Sequence, residues 1–275
     1  MKRSKPGFRS SYGFQSLTDM KHIIVSTLIV AVLITSCFGG GKNSEPDVNK
    51  EKLYLDQKSL AVASLRRGNF QQAMKEIDEA QALHQGEDPE IYLIRGAIYF
   101  GLKDYPLAES NYKKALEINP GYSQASFNLC GLYLKESKFD AAIVECNKVV
   151  SDPLFNAREN AYTTIGLAYF NKGDIASARD NYEKALQINP AFVYAHNELG
   201  KLYMATGREG EAIDEFKLAI SGLPTYEEAY YNLGLAYLKI DDKENACQSF
   251  AEVVRLSPNS EFGMNSNRYL SSVCN

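Results

Sequence analysis

The five cysteines are the residues of this 275-residue chain whose chemistry depends most on their surroundings. A cysteine thiol can be acylated, can form a disulfide or can bind a metal ion. No two of the five are separated by two residues, so the sequence contains neither a C-x-x-C redox motif nor a zinc knuckle. Acylation and disulfide formation are therefore the two reactions to weigh against the rest of the chain.

The motifs that identify common enzymes are missing. The sequence contains no G-x-S-x-G, G-x-x-x-x-G-K-S/T, H-E-x-x-H or G-x-G-x-x-G segment. Its three histidines, His22, His84 and His196, lie far apart in the sequence. The net charge of −4 gives no basic footprint for nucleic acid. We therefore expect a protein that is not an enzyme, with no metal, cofactor, small-molecule substrate or nucleic-acid partner.

Residues 1–36 are predicted to be a signal peptide. Met20 and Lys21 lead into twelve mostly apolar residues, 23–34, and small residues follow. As a helix, that apolar run would reach about 18 Å, which is short of a hydrocarbon core of about 30 Å. A membrane-spanning anchor is thus the weaker interpretation. Because Met20 begins a complete signal by itself, it is the alternative start of translation.

Cys37 ends a segment, Leu33-Ile34-Thr35-Ser36-Cys37, that is similar to a bacterial lipobox. The cysteine of such a signal carries fatty acyl chains such as palmitate and becomes the first residue after cleavage. Each buried CH₂ contributes about 0.8 kcal/mol, so two or three chains anchor a protein firmly. We predict a lipid anchor at Cys37 and a flexible linker over residues 37–53, with plain secretion or an uncleaved anchor as alternatives. Phe38 stands where an aspartate commonly retains a lipoprotein in the inner membrane, which favours an outer-membrane location facing the periplasm.

A 34-residue pattern organises the rest of the chain. In residues 227–260, aromatic, apolar, small and proline residues occupy positions 4, 7, 8, 11, 20, 24 and 32: Tyr230, Leu233, Gly234, Tyr237, Ala246, Phe250 and Pro258. This spacing is the tetratricopeptide signature, in which two antiparallel helices pack through small residues and a proline ends the second helix. A single unit cannot bury its apolar face alone, so neighbouring units are required.

Six such units are predicted over residues 54–260. The tyrosine of position 11 recurs at intervals of 34 or 36 residues: Tyr99, Tyr133, Tyr169, Tyr203 and Tyr237. The first unit has Ser64 at this position and lacks the closing proline, as expected of a terminal repeat. Residues 261–275 are predicted to form a capping helix. The expected fold is all-α, a right-handed superhelical solenoid of six tetratricopeptide hairpins and a C-terminal cap helix.

The repeat positions suggest how the other four cysteines pair. Cys130 and Cys146 occupy positions 8 and 24 of one unit, which face each other across the helix hairpin. An exported chain meets an oxidising compartment, so we predict a disulfide there, with two buried thiols as the alternative. Cys247 and Cys274 are a second possible pair, which would fasten the cap helix to the last repeat.

The predicted binding surface is the concave face, formed by positions 2, 5, 9, 12 and 13 of each first helix. The partner-binding residues predicted there are mostly apolar: Leu93, Phe100, Phe127, Leu134, Leu167, Phe170, Tyr194, Asn197, Tyr231 and Leu235. Met204 and Leu238 also occupy these positions, and some of the residues at positions 9 and 12 could instead complete helix packing. Repeats that bind a chaperone C-terminus use Lys and Asn at the groove to hold its carboxylate. Because those positions are mostly apolar here, we expect an apolar or amphipathic segment of another protein as ligand.

The sequence resembles the outer-membrane lipoproteins of type IV pilus biogenesis, the PilF/PilW/Tgl family of pilotins. The resemblance is most specific from Asn128 to Tyr169. This range contains residues 128–134 (NLCGLYL), 139–142 (FDAA), 152–155 (DPLF) in an extended junction, 161–162 (AY) and 166–168 (GLA). A cysteine pair in this region also occurs in some members. Cys130 and Thr164 depart from the family pattern. The resemblance implies a scaffold that assembles the secretin pore and supports pilus biogenesis or stability, with the secretin subunit as partner.

Two further hypotheses remain open at the level of sequence. The chain could be another periplasmic scaffold lipoprotein that organises cell-wall or outer-membrane assembly complexes. A regulatory or catalytic protein is the third hypothesis, which the missing enzyme motifs disfavour.

Overall fold

The computed structural model describes residues 45–274, which contain thirteen α-helices and no strand. The helices are α1 (Glu45–Arg66), α2 (Phe70–Leu83), α3 (Pro89–Gly101), α4 (Tyr105–Ile118), α5 (Ser123–Lys135), α6 (Phe139–Val150), α7 (Arg158–Asn171), α8 (Ile175–Ile188), α9 (Val193–Ala205), α10 (Glu209–Gly222), α11 (Glu227–Lys239), α12 (Lys243–Leu256) and α13 (Glu261–Val273). The predicted signal peptide and Cys37 lie outside the described residues. None of the described helices has the length and apolar character needed to cross a bilayer.

The helices form six consecutive hairpins, from α1–α2 to α11–α12, and α13 follows the last. From α3 to α13, each odd-numbered helix also contacts the next odd-numbered helix. Within the described residues, the even-numbered helices contact only their odd-numbered neighbours. The odd-numbered helices therefore form an inner layer and the even-numbered helices an outer layer. The predicted all-α solenoid of six tetratricopeptide hairpins with a C-terminal helix is confirmed.

Glycines at position 8 let the two helices of a hairpin approach closely. Gly200 of α9 faces the ring of Phe216 of α10, and a Cβ atom on Gly200 would lie 2.5 Å from that ring. The same contact occurs between Gly166 and Tyr182 in the preceding hairpin. The rings of Phe216 and Tyr182 are fully buried. The small and aromatic positions of the sequence pattern are thus two sides of one contact.

We expect Gly200→Ala to destabilise the protein by about 1–3 kcal/mol, because the added methyl group overpacks the contact with Phe216. Gly210→Ala is the matched control, since a Cβ atom on Gly210 in α10 would meet nothing within 4 Å. There the helix-favouring alanine should be neutral or should add up to about 1 kcal/mol. Urea unfolding followed by circular dichroism measures both changes. Equal stabilities of the two variants would contradict this account of the hairpin contact.

Helix α13 packs on α11 and α12 in the way that the first helix of a seventh repeat would. The Tyr269 ring stacks on Phe250 at 4.7 Å, and the Phe262 ring lies 5.2 Å from that of Tyr231. The Cys247–Cys274 disulfide joins α12 to the residue after α13, with 5.9 Å between the Cα atoms. Most of the remaining side chains of α13 are polar, which suits a helix at the end of the stack.

Two segments differ from a regular repeat array. The first helix begins at Glu45, so residues 45–53, predicted as part of a flexible linker, are helical. Proline is well tolerated in the first turn of a helix, so Pro46 is compatible with this earlier start. The second segment is the junction of residues 151–157 between α6 and α7. It is held by the Phe155 ring, 5.7 Å from that of Phe127.

Candidate partner-binding groove

The ten predicted groove residues all lie on the inner-layer helices α3, α5, α7, α9 and α11. Their exposure differs. Phe100 and Tyr194 are exposed, at 37% and 41%, whereas the other apolar members are half-buried. Leu93, Phe127 and Leu134 pack against one core cluster and Leu167 and Phe170 against another, so both the binding and the packing interpretations apply to them.

An apolar residue occupies position 12 of every inner-layer helix of the six hairpins. This apolar stripe runs along the groove and consists of Leu65, Phe100, Leu134, Phe170, Met204 and Leu238. Each side chain is at least partly exposed. Leu65 was not among the predicted groove residues, although its interval from Phe100 in the sequence would have identified it. The stripe therefore places one partly exposed apolar residue on the first helix of each hairpin.

Asn197 was expected to be open to a partner but is fully buried, and this prediction is wrong in that respect. Its amide oxygen accepts a hydrogen bond from Asn232 of α11 at 3.1 Å, and its amide nitrogen donates to Glu228 at 3.3 Å. Both of these residues lie on the neighbouring inner-layer helix, and the amide nitrogen also donates to Glu198 of its own helix at 3.4 Å. A buried amide must be satisfied in this way, so Asn197 positions its neighbours instead of contacting a ligand.

Charged groups interrupt the groove at α9 and α11. The Lys201 ammonium lies 2.9 Å from Glu198 and 3.3 Å from Glu228, and we name these three residues the Glu198–Lys201–Glu228 cluster. Burial raises the pKa of Glu198 above its usual value, against the lowering effect of Lys201. Burial alone would lower the pKa of Lys201, but the two carboxylates outweigh it and raise that pKa.

A second charged group lies at the amino-terminal end of the array. Lys58 of α1 forms ion pairs with Asp88 and Glu90, at the start of α3. The Tyr54 hydroxyl donates a hydrogen bond to Asp88, and burial together with Asp88 raises the pKa of Tyr54 to about 12. These pairs satisfy half-buried charges between the first two hairpins.

Tyr231 closes the other end of the groove. Its ring contacts Phe250 of α12 and the rings of Phe262 and Tyr269 of the cap helix. A shallow pocket of about 270 Å³ lies beside these contacts. It is lined by Tyr231, Asn265, Arg268, Tyr269 and Ser272. Tyr231 therefore serves the interface with the cap as well as the groove, and Leu235 lies one turn further along α11.

The structure joins Cys130 to Cys146 in a disulfide, with the Cα atoms 5.4 Å apart. Both residues are fully buried in the core cluster of the third hairpin. The bond crosses from α5 to α6 at the position where other hairpins place a glycine against an aromatic ring. Among residues 45–274, no group of three or more His, Cys, Asp and Glu residues is arranged to hold a metal ion.

His196 is held by two oxygen atoms. Nδ1 lies 2.6 Å from a carboxylate oxygen of Glu215, and Nε2 lies 3.0 Å from the carbonyl oxygen of Pro190. An imidazole can donate at both nitrogens only when it is protonated. Burial lowers the pKa of His196, but the hydrogen bonds to Glu215 and Pro190 outweigh it and the pKa lies above its usual value. The residue fastens α9 to α10 and to the turn before α9.

We expect the stability of the chain to fall as the pH rises from 6 to 8. The pKa of His196 is higher in the folded chain than the value of about 6.5 expected in the unfolded chain, so protonated His196 stabilises the fold below pH 6.5. This contribution is lost as the pH rises through the folded-state pKa and His196 releases its proton. His196→Phe, which keeps a ring at position 4, should remove this part of the pH dependence. The thermal midpoints of both proteins at the two pH values provide the measurement. An equal change with pH in wild type and variant would contradict the assignment.

Three segments of the chain match families of known proteins. Residues 89–122 and 227–260 match the tetratricopeptide repeat family, and residues 166–207 match the TPR repeat family. Type IV pilus assembly protein PilF of Pseudomonas aeruginosa is 21% identical over 163 residues, which cover 58% of this chain and 64% of PilF. Human peptidyl-prolyl cis-trans isomerase FKBP4 is 29% identical over 158 residues, or 52% of this chain and 34% of FKBP4. The alignments thus span less than two thirds of either relative.

Two solved structures have a similar fold over most of their length. The structure of P. aeruginosa PilF has a TM-score of 0.68 at 18% identity and covers 80% of this chain and 99% of PilF. The structure of PilW, described as a widely conserved type IV pilus biogenesis factor, has a TM-score of 0.69 at 21% identity and covers 78% of this chain and 98% of PilW. At these identities the likeness shows a shared fold.

Proposed function

We propose that this chain of tetratricopeptide repeats, which is similar to the type IV pilus proteins PilF and PilW, is a lipid-anchored scaffold for pilus biogenesis. Its task is to hold a segment of a partner protein in the groove of the inner-layer helices. The partner is the secretin subunit, and the consequence of binding is assembly of the secretin pore in the outer membrane. Tetratricopeptide repeats in general serve protein–protein interaction.

The apolar stripe supports this proposal most directly. Six partly exposed apolar side chains recur at the same repeat position of the inner-layer helices, and exposed Phe100 is among them. A row of exposed apolar residues on a protein surface marks a site for another protein. An amphipathic segment fits because its apolar face would cover the stripe while its polar face meets the charged groups of the groove.

The anchor and the location follow from Cys37 and its surroundings. Acylation at Cys37 would tether the repeats to the periplasmic face of the outer membrane, where a secretin is assembled. The residues between Cys37 and α1 would act as the connection. The sequence of the signal supports this part of the proposal.

A general envelope scaffold is the second candidate. The sequence identity with the repeat region of FKBP4 is higher than the sequence identity with PilF. Part of the similarity to PilF therefore comes from the repeat pattern that all such proteins share. Under this alternative, the groove would bind a protein of cell-wall or outer-membrane assembly.

Deletion of the gene separates the two candidates. Loss of heat-stable secretin multimers on denaturing gels, restored by the wild-type chain, is the expected result. Complementation with Cys37→Ser tests the anchor, and it should restore fewer multimers because the scaffold is no longer held at the membrane. Normal multimers and pili in the deletion strain would overturn the pilus function.

A further inference from the structure

The Glu198–Lys201–Glu228 cluster places two carboxylates around one ammonium group. Both Lys201 distances are within ion-pair range, and Asn197 donates to both carboxylates, at 3.4 Å and 3.3 Å. With both carboxylates ionised, the cluster has one negative charge in excess. Glu198 is nearly buried, whereas Glu228 and Lys201 reach the surface of the groove. An excess charge at a partly desolvated position is costly unless a counter-charge joins it.

A buried hydroxyl next to the cluster lacks a partner. Tyr182 of α8 is fully buried, and its hydroxyl has no hydrogen-bond partner among the described residues. Burial raises the pKa of Tyr182, and the charge of Glu198 adds to this effect. Tyr112 holds the equivalent position two hairpins earlier. Its hydroxyl is hydrogen-bonded to Asn128, which follows it by the same interval as Glu198 follows Tyr182.

Aromatic rings flank the cluster on the groove side. Tyr194 is exposed, and its ring meets that of Tyr226 edge to face at 5.6 Å. Burial raises the pKa of Tyr226, and Glu228 contributes to the increase, which places this ring beside the carboxylate. Aromatic faces attract cationic side chains and also pack against their methylene groups.

The charge of the cluster selects the kind of ligand. An anionic group would meet two carboxylates, and an apolar group would cover a charge that is not neutralised. A cation would balance the excess charge and lie against the exposed Tyr194 ring. The groove thus has an apolar stripe for one face of a ligand and one defined position for a positive charge.

We propose that the Glu198–Lys201–Glu228 cluster is a specificity site that binds a lysine or arginine side chain of the partner polypeptide. The incoming cation pairs with Glu228, Lys201 stays with Glu198, and Glu198 then accepts a hydrogen bond from the Tyr182 hydroxyl. This inference rests on the proposed function, in that it requires the groove to hold a polypeptide.

Selection of random dodecapeptides displayed on phage tests the inference, with the full-length chain in detergent micelles as target. We expect wild type and the Glu252→Gln variant to select peptides that carry a Lys or Arg beside apolar residues. Glu252 of α12 is paired with exposed Arg255 and serves as the control. Glu228→Gln should no longer select the basic residue and should bind a selected peptide at least tenfold more weakly.

Tyr182→Phe separates a binding role of the hydroxyl from a structural one. Its thermal midpoint should not fall, because the free chain makes no hydrogen bond there. Binding of the selected peptide should weaken about tenfold, as expected for a lost hydrogen bond to a charged group.

The peptide selection has three outcomes that would contradict part of the account. If wild type selects peptides without a basic residue, or if Glu228→Gln selects the same consensus as wild type, the basic-residue site is overturned and the groove is left intact. No selected peptide on any variant would overturn polypeptide binding by the groove as well. A basic consensus without a secretin defect would retain the site and reject the pilus function.

Discussion

Phe170→Glu should abolish capture of the partner protein, with a loss of affinity of about a hundredfold or more. Phe170 lies in the middle of the apolar stripe and is half-buried against the cluster formed by α7, α8 and α9. A carboxylate at this place would have to lose water beneath an apolar ligand, and truncation of a hot-spot residue at the centre of an interface costs about 2 kcal/mol or more. The carboxylate can reach solvent in the free chain, so helicity should be preserved. Co-precipitation of the secretin subunit from envelope extract, alongside circular dichroism, measures both quantities.

Leu218→Glu is the matched control for this experiment. Leu218 is an apolar residue of the outer-layer helix α10 and is 51% exposed, so it receives the same charge outside the groove. Phe170→Ala, in addition, separates the loss of packing from the added charge. Equal capture by Phe170→Glu and Leu218→Glu would show that the partner does not occupy the groove.

Removal of the Cys130–Cys146 disulfide should destabilise the third hairpin by about 3 kcal/mol. The bond closes a loop with a sequence separation of 16 residues, for which the chain-entropy model gives a value of this size. Both cysteines belong to the cluster shared by α4, α5, α6 and α7, so the loss affects the middle of the array. We expect the double variant Cys130→Ala/Cys146→Ala to show earlier urea unfolding and faster amide exchange in α5 and α6.

The second disulfide provides the comparison. Cys247→Ala/Cys274→Ala releases α13 at the end of the stack, and because each repeat interacts with its neighbours, exchange in α5 and α6 should stay unchanged. A non-reducing mass map of the native chain that finds Cys130 and Cys146 both alkylated would contradict the expected effect.

The sequence predicts the architecture well because each repeat of the array carries the same pattern of packing residues. The tyrosines at position 11 recur at almost constant intervals, and the glycine and ring positions match contacts such as Gly200 with Phe216. The same reasoning placed Cys130 and Cys146 on facing helices. It could not set the start of α1 at Glu45, because a first helix has no preceding hairpin to define its length.

The polar features of the groove were the hardest to predict. Asn197 looked like a contact residue by its repeat position, yet its burial depends on Asn232 and Glu228 of the next hairpin. The Glu198–Lys201–Glu228 cluster likewise joins residues of two hairpins, and repeat positions alone do not tell which rotamers meet. These contacts depend on the spacing between neighbouring inner-layer helices, which becomes visible only in the folded chain.

Photo-cross-linking in cells tests the central claim, that the inner groove holds a partner polypeptide, most directly. A photoreactive phenylalanine at position 100 would replace the exposed Phe100 of the apolar stripe, and the same group at Leu218 on the outer layer would be the control. We predict a cross-linked adduct containing the secretin subunit from position 100 and none from position 218. Adducts from position 218 alone, or equal adducts from both positions, would contradict the claim.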